Sequence, residues 1–437
     1  MTDTIIIGGA GRWAQRTYLP LFKHGSDHHL IAVADLPDAL RDAKADCGEV
    51  VELTGDLASD LATLSTCRAA YPSAQALIVA TPPVLHDIYT EWGIRSGLSV
   101  ICDKPPCAAR DQFGHPQRVS EVEASYQHLL ELLNGHPNQR VYVPLRRRIH
   151  DPYAKLAKAV AEVATMTGQA LTTITIHHNN GCYRYPNEYA LPGAHGYTDG
   201  LGSLTHTGYH LLDFLAYLVG EGDRAPIVID GHLSRSVTVA DAWDSRNPGF
   251  DRLVGRSGPT PATSTLGAAA ELDLTCHYRI AHSDGQITDA QLDLTQRGCT
   301  RRTSPVYPPD TTHDEGRVDD TMIILHQGPL QTLTLTVVDD TSDVPGSIHL
   351  TRRLHPTLAA QLGYEPIAIQ TTALGPEENA RFQHRMISGM LDTISGGDPT
   401  PYTQMELPAQ ALTIDLYTAT LRAGHRRPTT NRPSATR

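Results

Sequence analysis

The spacing of hydrophobic and polar positions changes character roughly one third of the way along the chain. In the first part, residues 4–7, 30–35, 76–80 and 99–102 form short, nearly unbroken aliphatic runs, the pattern of strands buried on both faces. Residues 86–94 predict a helix that Gly97 stops. Val122, Tyr126, Leu129 and Leu133 recur at helical spacing, and residues 140–144 predict a last strand. Strands alternating with helices of this length give a doubly wound parallel sheet. Further on, residues 171–176 alternate Leu or Ile with Thr, and the same period of two returns at Leu272, Leu274, Cys276, Tyr278 and Ile280. Leu292 and Leu294, then Leu333, Leu335 and Val337, repeat it, so these predict half-buried strands. Between the two regimes Leu211, Leu212, Phe214, Leu215 and Leu218 mark a buried helix entered through a glycine-bearing polar loop. His206 and His210 stand four apart, which places them on one face of its first turn if the helix has begun there. The cluster is a candidate reaction centre.

Turn chemistry adds a nucleotide. The strand at 4–7 runs into Gly9-x-Gly11-x-x-Ala14. In this pattern Gly9 permits the tight turn, Gly11 lets the backbone approach a pyrophosphate, and Ala14 lets helix and strand pack closely. The second strand ends in Asp35, 21 residues after Ala14, where a carboxylate can hold a ribose hydroxyl and repel a 2′-phosphate. NAD is therefore favoured over NADP, with Arg41 placed to reverse the preference. Asp103 and Lys104 follow the strand at 99–102, on the edge of a parallel sheet where ligands bind.

Composition narrows the class. A chain of 437 residues with 40% hydrophobic content predicts two globular domains, and a net charge of −12 argues against a nucleic-acid binder. Lysine occurs only at positions 23, 44, 104, 155 and 158, which draws attention to Lys104. The 7 cysteines are scattered without CxxC or zinc-finger spacing, as expected of reduced thiols in the cytoplasm. No apolar run approaches the length of a membrane span, and the first strand begins too early to leave room for a signal peptide.

With these pieces in order, the chain resembles the Gfo/Idh/MocA family of glucose–fructose oxidoreductases, inositol dehydrogenases and rhizopine catabolism proteins. The landmarks are the glycine turn, residues 18–22, Ala80-Thr81-Pro82 with His86, and Asp103-Lys104-Pro105, similar to the family's Glu-Lys-Pro. Residues 145–152 are similar to its entry into the second domain. Gly200-x-Gly202-x-Leu204-x-His206-x-Gly208-x-His210-x-x-Asp213 is similar to its Gly-Gly-Gly-x-Leu-x-Asp-x-Gly-x-His-x-x-Asp signature. Residues 382–389 and 407–421 also fit.

The resemblance implies an N-terminal Rossmann domain, then an α+β domain with a large, mostly antiparallel open sheet. The expected bounds are 1–145 and 146–423, with insertions near 243–265 and 297–319 and a disordered tail at 424–437. It implies an NAD(P)-dependent oxidoreductase acting on a sugar, cyclitol or nucleotide-linked sugar, without nucleic-acid or membrane partners, assembled as a homodimer or homotetramer. Cofactor contacts are expected from Gly9, Gly11, Arg12, Trp13, Ala14, Asp35, Thr81, Pro82, His86, Asp103 and Lys104. Family lysine and histidine positions map to Lys104, as hydrogen-bond donor to the substrate oxygen, and His210, as general base. The family aspartate is His206 here, expected to orient His210 or relay its proton and to give a pH–rate profile shaped by two coupled histidines. Substrate contacts are expected from Arg147, Tyr183, Arg184, Tyr185, His206 and Asp213. No bound metal is expected; a zinc site on His206 and His210 would need His195 or Asp199 as third ligand. Competing functions on the same fold are an NAD-dependent glycosidase, an imine reductase and a catalytically silent NAD(P)-binding regulator.

Overall fold

A computed structural model of the protein describes residues 2–22, 28–40, 48–179, 196–220, 226–244, 269–296, 320–338, 346–374 and 378–426. The insertions expected near 243–265 and 297–319 lie almost wholly outside the described residues, as does the tail beyond Arg426.

The chain opens with β1 (Thr2–Ile7), α1 (Arg12–Thr17), β2 (His28–Asp35), α2 (Pro37–Leu40), β3 (Glu49–Glu52), α3 (Leu57–Ala70), β4 (Ala76–Val79), α4 (His86–Arg95), β5 (Ser99–Cys102), α5 (Pro116–Asn134) and β6 (Val141–Tyr142). Their strands form one parallel sheet in the order β3-β2-β1-β4-β5-β6. The order of strand addition reverses between β1 and β4, so their carboxyl ends flank the crevice where open α/β sheets bind ligands. Ile5, Ile6, Ile7, Ala76, Leu77, Ile78 and Val79 are all fully buried, as continuous aliphatic runs in a doubly covered sheet must be. Sequence periodicity missed β3 and α3; Glu49 and Glu52 expose the ends of an edge strand that has only four residues.

The second part contains α6 (Asp151–Thr167), β7 (Thr173–Asn179), α7 (Tyr209–Gly220), β8 (Ile227–Thr238), α8 (Val239–Asp244), β9 (Glu271–Ala281), β10 (Ile287–Thr295), β11 (Asp320–Gln327), β12 (Gln331–Val338), β13 (Gly346–Leu354) and β14 (Ile367–Leu374). They build an eight-stranded sheet in the order β14-β13-β12-β11-β7-β10-β9-β8. Only β7 and β10 run parallel; the remaining pairs are antiparallel. Alternation decides what it buries. Ile174, Ile176, Leu274, Cys276, Ile280, Leu292, Leu294, Ile323 and Leu335 point inward with the apolar residues of α6 and α7, and the intervening polar residues face outward.

The last helices tie the halves together. Met386, Ile387, Met390 and Leu391 on the helix Glu378–Ile394 pack with Ile6, Tyr18, Val33 and Ile78 of the nucleotide-type sheet. The hydroxyl of Thr2 donates to Leu391 O at 2.9 Å. Tyr417, on the helix Ala411–Ala423, sets its ring edge against Tyr209 at the start of α7. No described helix is long and apolar enough to cross a membrane.

Candidate active site

Two loops meet at the crevice. On the nucleotide side, the turn after β1 obeys the glycine pattern but distributes its demands differently from the sequence expectation. Positive φ, +73°, falls on Gly8, and a Cβ there would stand 2.8 Å from the backbone of Ala80 and Thr81. Gly9 is instead required by packing: its Cβ would meet Ile6 and Val33 side-chain carbons at 2.8 and 2.9 Å. Ala14, 1% exposed, sits against the same sheet face as expected.

The residues fit a dinucleotide. A Cβ on Gly11 would meet nothing nearer than Gly8 O at 3.6 Å, so the backbone there faces open space that a phosphate can enter. Thr81 Oγ1, at the end of β4, is buried without a hydrogen-bond partner. Asp35 stands at the end of β2, its Oδ2 accepting from Ala10 N at 2.9 Å and its Oδ1 from Leu36 N at 2.8 Å. Those bonds orient the carboxylate and leave lone pairs for ribose hydroxyls. Trp13 is 49% exposed beside the loop, and Pro82 after Thr81 is exposed; of Arg12 only the backbone, opening α1, is described. Because α1 has only six residues, the phosphate cradle rests on the loop rather than on a long helix dipole.

His86 corrects the expectation of a cofactor contact. Its ring is 1% exposed, with Nδ1 2.7 Å from Pro105 O and Nε2 2.8 Å from Thr81 O. It clamps the loops after β4 and β5 together from beneath. Asp103 Oδ1 accepts from Lys104 N at 2.8 Å and shapes the same turn, in which the Lys104–Pro105 peptide is cis.

On the other side, the polar loop enters α7 through a π-helical turn, Leu204–Gly208. Gly202 allows the loop to press on β9, since a Cβ would lie 2.1 Å from Glu271 O. The Glu271 carboxylate accepts from Leu204 N at 2.9 Å and so caps the turn from the neighbouring strand; burial pushes its carboxyl up to about 8. Lys104 Nζ donates to the backbone carbonyl of His206. The lysine after β5 and the loop before α7, 102 residues apart in sequence, are thereby fixed to one another.

His210 opens α7. Its Nδ1 is buried and has no hydrogen-bond partner. Burial, and next the positive charge of Lys104, hold its imidazole well below the ordinary histidine value, with Arg147, Arg146 and His178 adding to the effect.

His206 departs from the predicted partnership. Its Nε2 lies 2.7 Å from the Tyr197 hydroxyl and 3.2 Å from Gln296 Nε2, and its Nδ1 lies 3.0 Å from Thr207 Oγ1. It makes no hydrogen bond to His210. The physical reason is competition: Tyr197, Gln296 and Thr207 engage both nitrogens of the ring. Neither Tyr197 nor Gln296 carried a sequence signal, because each reaches His206 through the tertiary fold.

Asp213 is likewise corrected as a substrate contact. It is fully buried and paired with Arg148, whose Nη2 and Nε donate to Oδ1 at 2.6 and 3.0 Å. Thr413 Oγ1 adds a bond at 3.3 Å, so the carboxylate joins α7 to the C-terminal helix. Arg147, the neighbour of Arg148, is 4% exposed and lies over the Tyr153 ring. Tyr183, Arg184 and Tyr185 lie outside the described residues.

Comparisons with known proteins bear on the fold. Residues 3–132 match the Gfo/Idh/MocA family model, described as an oxidoreductase family with an NAD-binding Rossmann fold. No curated protein matches the sequence. Among solved structures, the WlbA dehydrogenase from Bordetella pertussis, in complex with NADH and UDP-GlcNAcA, is similar over 97% of this chain and 96% of its own, at 15% identity and a TM-score of 0.57. Myo-inositol 2-dehydrogenase from Lactobacillus plantarum is similar over 97% of each chain, at 13% identity and a TM-score of 0.56. The aldose–aldose oxidoreductase from Caulobacter crescentus, complexed with glycerol, aligns over 97% of this chain and 98% of its own, at 14% identity and a TM-score of 0.55. Likeness at this identity establishes a shared two-domain fold along nearly the whole chain. The family model's match falls on the N-terminal domain, where the glycine turn and Asp35 lie.

Proposed function

We propose that the protein is an NAD(P)-dependent oxidoreductase that interconverts a carbinol and a carbonyl carbon of a sugar, cyclitol or nucleotide-linked sugar. The observation that carries this reading is the tie between Lys104 and the His206 carbonyl, which brings the end of β5 and the start of α7 to one crevice. The dinucleotide, when bound, supplies the hydride acceptor or donor. Gly11, Asp35 and Thr81 would hold it.

His210 takes the proton from the substrate hydroxyl in oxidation and returns it in reduction. Its depressed basicity keeps it neutral at physiological pH, the form in which an imidazole can accept a proton. Lys104 donates a hydrogen bond to the substrate oxygen and stabilises negative charge developing there. Within the exchange, a proton arriving at His210 is opposed by Lys104, which favours its rapid return. His206 positions the loop rather than joining the proton path.

Support for the substrate class comes from the solved relatives, whose names and ligands are sugar- or polyol-related. The test is a screen of cyclitols, sugars and nucleotide sugars with NAD and NADP, following absorbance of the reduced cofactor. Formation of reduced cofactor that Lys104→Met abolishes supports the reading. Tight dinucleotide binding with no hydride exchange toward any of them refutes it in favour of a silent regulator.

A further inference from the structure

Arg147 is unusual among the arginines of the site. It is 4% exposed, its Nε is buried with no hydrogen-bond partner, and its guanidinium has an aromatic face, that of Tyr153 at 5.5 Å, in place of a carboxylate among the described residues. Arg148 next to it has the opposite circumstances, being fully satisfied by Asp213 and the carbonyl of Gln404. Burying a guanidinium without an anion is costly, and Tyr153 offers only a partial substitute.

The position of Arg147 is set by a chain of contacts leading back to His210. Tyr153 sets its ring edge on Phe214 at 5.1 Å between centroids. Phe214 is four residues beyond His210 on α7, hence on the same helix face. Tyr153 therefore links the guanidinium to the face of α7 that carries His210. The guanidinium plane, resting on a ring, presents N–H groups in the fork that matches two oxygens of an anion.

We infer that Arg147 binds an anionic group of the substrate, a carboxylate or a phosphate, close to the carbon whose hydroxyl faces His210, so that the enzyme acts on sugar acids or sugar phosphates rather than on neutral polyols. Lys104, like Arg147, acts on His210 as a positive charge. A bound anion would partly offset that effect and make the imidazole a better base in the complex than in the free protein. The inference rests on the oxidoreductase reading for the identity of the reacting carbon, but its binding consequence does not depend on turnover.

The test is calorimetric titration of NADH-loaded protein with a panel of uronates and aldonates, their neutral parent sugars, and the corresponding sugar phosphates. At least tenfold tighter binding of one anionic set over its neutral parents is expected, and which set wins identifies carboxylate or phosphate. Arg147→Met is expected to erase that preference while leaving NADH affinity unchanged, and Arg147→Lys to keep part of it. Equal binding of acids, phosphates and neutral parents by the unaltered protein overturns the inference without use of a variant. So does a preference that survives Arg147→Met. Turnover separates the two readings: reduced cofactor formed from neutral polyols with no anion preference sinks the anion site alone. Selective binding of acids without any hydride exchange sinks the oxidoreductase reading alone.

Discussion

The Tyr197 hydroxyl lies 2.7 Å from Nε2 of His206 and donates to Oε1 of Gln296. The triad is built on His206, which stands where the Gfo/Idh/MocA signature that this stretch resembles has an aspartate. Its ring engaged there, His206 contributes its backbone carbonyl, not its side chain, to Lys104. His206→Asn should therefore lower turnover by less than about tenfold, the scale of one lost hydrogen bond. A loss comparable to that of His210→Asn would restore His206 to the proton path.

His210→Asn should reduce turnover by roughly 10²–10⁴-fold, the contribution of a positioned acid–base group. Dinucleotide affinity should be retained, since the ring belongs to α7 and not to the glycine turn. Steady-state kinetics with fluorescence titration of NADH checks both halves.

The pH dependence follows from the same ring. With His206 turned aside, one histidine rather than a coupled pair governs the acid limb of kcat/KM. Burial and the Lys104 charge depress the His210 value, so activity should persist below pH 6.5, an ordinary histidine value. Lys104→Met removes a cation that opposes protonation, and whatever residual activity it leaves should show the acid limb shifted upward. A downward shift would contradict the arrangement.

Asp213→Ala should unfold the protein more readily rather than alter substrate preference. The carboxylate and Arg148 are 0% and 5% exposed, and breaking one side of a buried pair costs about 3–5 kcal/mol. Thermal denaturation of the variant and of Arg148→Met tests it; an unchanged melting temperature with a raised KM would reinstate Asp213 as a substrate contact.

Glu271 gives a stability prediction. In the folded chain its carboxyl is pushed up to about 8 from an ordinary 4.5, chiefly by burial. Between those values the native state holds a proton that the unfolded state has released, so stability falls as pH rises through this window. Glu271→Gln keeps an acceptor for Leu204 N and removes the ionisation. The variant should lose less stability than the parent between pH 6 and 8, measured by urea denaturation at each pH.

What the chain disclosed by itself was whatever depends on neighbours in sequence. Ile5 to Ile7 and residues 76–79 are strands because aliphatic runs of that length have no other economical burial. The turn after β1 is legible because a phosphate-sized approach demands glycine at fixed intervals. The alternation at Leu272, Leu274 and Cys276 announced a one-sided sheet, and the order of short motifs carried a resemblance that the match over residues 3–132 supports. β3 and the strands of the sheet edge were less legible, since Glu49, Ile367 and Ile369 follow exposure rather than core patterning.

What only the tertiary structure decided was the partner of each polar side chain. Asp213 and Arg147 read alike in sequence as candidate contacts; the fold gives one a buried arginine and leaves the other over a tyrosine ring. His206 and His210 keep helical spacing, but Tyr197 and Gln296 engage the His206 ring. Spacing fixes the face of a helix, whereas the hydrogen-bond partner of a polar group depends on segments hundreds of residues distant, such as Thr413 against Asp213. Long-range packing sets those distances, and no local pattern encodes them.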